Sequence, residues 1–189
     1  FVGAFRRLPL KLRELFVQAY QSYLFNRFLS KRIKSGLPLN QAEVGDFAVG
    51  IEHSGLPNPR MYKKASIETL TEINHSIRKK RMRLAIPLVG PKQSFSGGKQ
   101  GEIEQRIFEA ENIASNDFRI QRMPEVTARG GLRAAIVPLK TARTYCVSGR
   151  LEEQSKPTVR TSFMLLPGSY ATILLRELMK PRDPIKAGF

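Results

Sequence analysis

The chain has 189 residues, 41% of them hydrophobic, and sets 32 Lys and Arg against 16 Asp and Glu, a formal charge of +16. Such a length suits one ordinary domain or two small ones, no segment is long and apolar enough to span a membrane, and no signal peptide is visible. The single cysteine, Cys146, excludes an internal disulfide and fits a reducing cytosol, while the charge favours a polyanion, nucleic acid first, over a plain basic surface or an anionic membrane.

Pro9 to Ser35 read as one long helix, with Pro9 suited to the first turn and Gly36 supplying the stop. Leu12, Leu15, Phe16, Ala19, Tyr20, Tyr23, Leu24, Phe28 and Leu29 recur at three- and four-residue spacing, which predicts a core-facing stripe. Lys11, Arg13, Arg27, Lys31, Arg32 and Lys34 fall on the other side, and Arg6 and Arg7 stand just ahead of the helix. Leu37 to Gly45 reads as a loop, Asp46 to Ile51 as a short strand, and Ser54 to Pro59 as a connection. Ser66 is the expected cap of a helix with the stripe Ile67, Leu70, Ile73 and Ile77. That helix ends in Arg78-Lys79-Lys80-Arg81, cations that suit the negative end of the helix dipole.

Arg83 to Leu88 reads as a strand, and Gly90 to Gly101 has turn-like composition and is expected to be a mobile connector. A helix is predicted from Gly101 to Ala114, with Ile103, Ile107, Phe108 and Ala110 inward. Leu132 to Leu139, Arg143 to Val147 and Val159 to Leu166 read as strands, with a polar hairpin connection at Leu151 to Pro157. The last helix is predicted from Ser169, as its N-cap, to Lys180. Helix and strand alternate without a βαβ rhythm, so the class is α+β.

Chemistry-bearing clusters are few. His53 and His75 lie far apart with no cysteine pair beside them, so no metal site is expected. Ser96-Gly-Gly-Lys-Gln-Gly101 invites a phosphate-loop reading, but the required first glycine and the hydroxyl residue after the lysine are Gln93 and Gln100. A weaker option leaves Lys92 and Lys99 touching an RNA phosphate. Asp46, Asp117 and Asp183 are the only aspartates, and each looks like turn chemistry. Arg6, Arg7, Arg13, Arg78, Lys79, Lys80, Arg81 and Arg83 are candidate phosphate contacts or a solvated basic face. On pattern alone Tyr170 would be a packing residue.

Two segments carry a specific resemblance. Ala19-Tyr-Gln-Ser-Tyr-Leu-Phe-Asn26 and Leu166-Pro-Gly-Ser-Tyr-Ala-Thr172, continuing to Leu175-Arg-Glu-Leu-Met179, resemble the TruD family of tRNA pseudouridine synthases in its archaeal form. Gly45-Asp46, Pro87-Leu-Val-Gly90 and Gly101-Glu-Ile-Glu104 fall in the expected order between them. The resemblance implies an isomerase that detaches uracil from a tRNA uridine, usually at position 13, rotates it and rejoins it through carbon, with no metal or cofactor. It implies that residues up to Val137 belong to an inserted domain and that the rest, from Pro138, is the C-terminal part of the catalytic domain, with a mainly antiparallel sheet. The family's nucleophilic aspartate sits in a Lys-Asp motif followed by Ala-x-Thr-x-Gln. That motif is absent here, as is the pocket-forming Asn-Tyr/Phe-Phe-Gly segment. The chain, which starts at Phe1 rather than at Met, is therefore expected to be the C-terminal half of a cytoplasmic enzyme, with the N-terminal half and tRNA as partners.

For site residues the resemblance implies that Tyr170 lines the uridine pocket at the head of the last helix, with Gly168 and Ser169. Arg176 either faces that pocket or pairs with an acid, and Tyr20 and Tyr23 are expected to pack. A family Arg-Arg pair appears here as Leu132-Arg133, which leaves Arg133 as a further RNA-contact candidate. The competing expectation is a stand-alone basic RNA-binding module without catalysis.

Overall fold

The computed structural model describes residues 1–147 and 158–188, so the expected hairpin connection at Leu151 to Pro157 lies outside the described residues. The chain divides into two units, Phe1–Ile136 and Val137–Phe189.

Unit 1 is built on an antiparallel sheet of β1 (Phe47–Ile51), β2 (Pro57–Lys64), β3 (Met82–Leu88) and β4 (Gly131–Ala134), in the order β2-β1-β3-β4. Phe47 stands opposite Lys64 on one side and Ala85 on the other, and Ala85 stands opposite Ala134. Alternation along the strands separates two apolar sets. Ala48, Leu84 and Ile86 join the cores under the helices, while Phe47, Val49, Ala85, Leu132 and Ala134 cluster separately. β2 falls where a connection was expected. As an edge strand it tolerates Pro57 and Pro59, which a central strand could not.

Short α1 (Val2–Arg6) leads into α2 (Leu10–Lys34), the long helix. Pro9 is its N-cap, and it ends as expected. Gly36, at φ 71°, donates its N–H to the Ile33 carbonyl, and Leu37 donates to that of Arg32, the paired bonds of a Schellman stop. The stripe is only half right. Leu24, Phe25 and Phe28 are buried with Ile86, Ile103, Ile107 and Phe108, but Leu12, Leu15 and Phe16 are exposed. Arg32, expected on the polar face, is fully buried.

Ahead of α3 (Leu70–Arg78), Ser66 and Thr69 exchange hydrogen bonds at 3.0 and 3.3 Å, the reciprocal pattern of a capping box. Regular helix starts only after them, so Ile67 is 79% exposed while Ile73 is fully buried. Helix α4 (Gly98–Glu111) begins earlier than expected, and Ala110 faces solvent rather than the core. Two 3-10 turns, Ser115–Phe118 and Pro124–Val126, lead into β4, which stops at Ala134 instead of running to Leu139.

Unit 2 holds the antiparallel pair β5 (Lys140–Val147) and β6 (Thr158–Met164), then α5 (Ala171–Met179). The N-cap of α5 is Tyr170, not Ser169. Pro167-Gly168 forms the centre of a turn closed by Ser169 N–H on the Leu166 carbonyl at 3.1 Å, and Gly168 takes φ 83°. Proline second and glycine third is the type II signature, and the turn uses Ser169's backbone so that helix can begin only beyond Tyr170.

Candidate nucleic-acid interface

In unit 2 the turn leaves Tyr170 extended, at φ −103° and ψ 111°, with its side chain 62% exposed. The Ser169 hydroxyl is closed off from solvent and has no hydrogen-bond partner among the described residues. Arg176 is exposed in the last turn of α5. There Lys180 bonds to Glu177 and, with a smaller contribution from Arg176, holds that carboxyl below its usual range.

In unit 1 the basic candidates separate by what holds them. Arg6 and Arg13 both reach one carboxylate oxygen of Glu125, at 3.2 and 2.8 Å, and Arg13 also donates to the Leu8 carbonyl. Their charge is thereby partly neutralised, and the segment before β4 is tied to the start of α2. Arg7 is exposed and makes no ion pair among the described residues. Arg78, Lys79, Lys80 and Arg81 are all exposed at the C-terminal end of α3. Lys80 takes the left-handed conformation at φ 59°, and Arg81 N–H closes the turn on the Ser76 carbonyl. Nearby Glu72 bonds to Lys63 at 2.7 Å, which lowers its pKa, with Arg81 adding a smaller pull. Arg83 is half-buried, and its Nη1 is closed to solvent without a hydrogen-bond partner among the described residues. That burial draws its pKa down. Arg133 lies over the Phe25 ring at 5.1 Å.

The structure also shows a buried polar network that pattern reading missed. Arg32 grips Asp46 with two bonds of 2.9 and 2.8 Å, and donates to the Pro38 carbonyl and to Gln100. Gln100 donates to Glu104, which also accepts from the Ser96 N–H and hydroxyl. Asp46 is thus a buried ion-pair partner as well as a turn residue accepting from Glu43 N–H, whereas Asp117 and Asp183 do only turn work. Gly97 donates to the Gly45 carbonyl at 2.8 Å, and a side chain on Gly45 would collide with the Gly97 backbone. Ser96-Gly-Gly-Lys-Gln-Gly101 is therefore a clamped entry into α4, whose first turn starts at Gly98, rather than a mobile connector. Lys99 in it faces Glu43 at 3.5 Å. The available signal was Gln100, Ile103, Glu104 and Ile107 at helical spacing, which puts an amide and a carboxylate on the apolar face of α4.

Tyr20 and Tyr23 are packed against each other but remain partly exposed, and both hydroxyls reach Glu111, at 3.3 and 3.2 Å. Arg27 bonds to the same carboxylate. Gln21 between them is buried and donates to the Val89 carbonyl. Three of the middle segments quoted above, around Asp46, Val89 and Glu104, thus meet side chains of α2 or α4 inside unit 1. Among the described residues no group of three or more His, Cys, Asp or Glu is placed to hold a metal, and no helix is long and apolar enough to cross a membrane.

The model of the tRNA pseudouridine synthase D (TruD) family matches residues 1–178, nearly the whole chain. The chain belongs to the TruD family. Proteins carrying the name Probable tRNA pseudouridine synthase D are 36% identical to it in Methanococcoides burtonii and 38% identical in Methanopyrus kandleri. These matches cover 98% and 95% of this chain but only 42% and 35% of those proteins. The crystal structure of the TruD candidate from Methanosarcina mazei superposes with a TM-score of 0.88 at 34% identity, covering 98% of this chain and 42% of that one. The chain therefore spans less than half the length of the TruD proteins it matches. Its mixed helix and antiparallel-sheet architecture is that of part of a TruD protein.

Proposed function

We propose that the chain supplies RNA-binding surface and one wall of the uridine pocket in a cytoplasmic tRNA pseudouridine synthase that acts at position 13 of tRNA. In this reading residues 1–137 form the inserted domain and 138–189 the C-terminal part of the catalytic domain. The nucleophilic aspartate comes from the N-terminal half of the same enzyme, and neither metal nor cofactor takes part.

The observation that carries the proposal is Tyr170, an aromatic residue 62% exposed on a glycine-shaped turn at the head of α5, inside the stretch matched by the family. An enzyme that works on a paired base must extrude it and replace its lost stacking. An aromatic face is worth about 1–3 kcal/mol per base for that purpose. Gly168 shapes the turn, the partnerless Ser169 hydroxyl beside it would meet the flipped base only after a local opening, and Arg176 is an exposed cation on the same helix. Arg7 and the run Arg78, Lys79, Lys80 and Arg81 are the phosphate contacts in this reading. Arg13, Arg83 and Arg133 support the surface from half-buried positions, and the exposed Arg6 is shared with Glu125.

Substitution in the complete enzyme tests the ring. Tyr170→Phe should retain most pseudouridine formation on tRNA, and Tyr170→Ala should lower it by about one to two orders of magnitude, the loss of a stacking contact. Equal losses would assign the role to the hydroxyl, and no loss would return Tyr170 to packing. A second reading, a binding module with no chemistry, draws on the missing Lys-Asp motif. It predicts tRNA binding with no isomerisation even by the complete protein.

A further inference from the structure

A cavity of about 370 Å³ opens in unit 1 between α2 and the segment that leads into β4. Its size is at the lower end of small-ligand sites, about 300–1,000 Å³. Val17, Leu88 and Val126 give it apolar lining. Gln18 and Ser22, one helical turn apart on α2, and Arg129 on the opposite segment add hydrogen-bonding groups.

Both sides are held in place before any ligand arrives. On α2, the buried Gln21 in the same lining is bonded to the Val89 carbonyl. On the other side, Glu125 is pinned by Arg6 and Arg13. A lining that mixes apolar side chains with hydrogen-bonding groups can take a flat heteroaromatic ring. Amide side chains such as Gln18 can match the donor and acceptor pairs on a base edge, and an arginine plane such as Arg129 can stack on its face. A lone phosphate would leave Val17, Leu88 and Val126 unmatched, and the two lining carboxylates, Glu14 and Glu125, already hold Lys11, Arg6 and Arg13. The surrounding charge of +16 favours a base delivered by a polyanion over a neutral ligand.

We infer that this cavity receives one unpaired nucleobase of the bound RNA, a recognition contact read by α2 and the segment before β4. The inference rests on the tRNA-binding reading above, and the test separates the two. The exposed Gln18 is changed in the complete protein to Trp, which fills the cavity, and to Ala, which removes the amide without filling it. tRNA affinity is measured across a salt series, with thermal unfolding as the check on folding. Gln18→Trp should weaken binding about tenfold and Gln18→Ala by a smaller factor, the scale of one base contact. Both should leave the salt slope unchanged, because no phosphate contact is lost. Affinities within twofold of wild type for both variants would overturn the inference and leave the tRNA reading standing. Absence of tRNA binding by the wild type would overturn that reading and this inference with it. Guanosine monophosphate serves as the free-nucleotide probe. Loss of its binding in Gln18→Trp with tRNA affinity intact would assign the cavity to a free nucleotide and overturn the RNA-base inference.

Discussion

Glu104 is fully buried on α4, and its hydrogen-bond donors are neutral groups: the Ser96 N–H, the Ser96 hydroxyl and the Gln100 amide. Desolvation raises its pKa, the three hydrogen bonds oppose that shift, and the nearby Asp46 charge adds to it. A carboxyl whose folded pKa is raised stabilises the fold fully only below its unfolded value, about 4.3. That contribution is lost as pH rises through the folded pKa. Glu104→Gln keeps an acceptor oxygen but cannot ionise. Wild-type stability relative to Glu104→Gln should therefore fall as pH rises from about 4 through the raised pKa, then level off. Urea unfolding at a series of pH values reads this directly, and a difference that does not change with pH would refute the assignment. Arg32 and Asp46 differ in kind. They form a bidentate buried pair, and removing either partner alone would leave an uncompensated charge at a cost of about 3–5 kcal/mol.

At the scale of elements, α3 ends in a basic cap whose four side chains all reach solvent. Each phosphate contact made there releases counterions, so removing one should flatten the plot of log affinity against log salt by about 1. Arg78→Gln, Lys79→Gln and Arg81→Gln combined should flatten it by about 2–3 while leaving the fold intact. Parallel salt plots for variant and wild type would mean this cap does not touch RNA. The same cap was legible in sequence because four consecutive cations at a helix end need no tertiary information. α2, β1 and β3 were legible for a related reason, since unbroken periodic runs between glycine and proline stops show through locally. β2 was not, because Pro57 and Pro59 look like a connection until the strand's place at the sheet edge is known. The Arg32–Asp46–Gln100–Glu104 network was also hidden. A cation on a helix reads as surface unless the partner that satisfies it, 14 residues away for Asp46 and 68 for Gln100, is seen in space. The Gly97–Gly45 contact is hidden in the same way, since glycine chosen for close approach has the same composition as glycine chosen for freedom. At the candidate pocket, local pattern alone reads Tyr170 as a packing residue. The resemblance in Leu166 to Met179 implies a pocket role instead, and the Pro167-Gly168 turn supplies the physical reason for its exposure.

For the whole molecule, the two units differ in how far their own residues complete them. Unit 1 closes helices over one face of a four-stranded sheet and buries three apolar clusters. Among its described residues unit 2 has a two-stranded sheet and one helix, an assembly that is marginal in water by itself. Leu139, Tyr145, Val159, Met164, Ile173, Leu178 and Met179 in it are all exposed. So much unit 2 apolar surface suits cover by another protein surface, which in the proposed reading is the rest of the enzyme. Two outcomes are expected when the 189-residue chain is compared with the complete protein. Amide hydrogens of β5, β6 and α5 should exchange markedly faster in the chain alone, whereas those of β1 and β3 should exchange alike in both. The chain alone should bind tRNA with a steep inverse salt dependence yet form no pseudouridine if, as proposed, the nucleophile lies in the other half. Equal exchange in unit 2 would mean its apolar surface needs no cover, and turnover by the 189-residue chain would place the nucleophile within it.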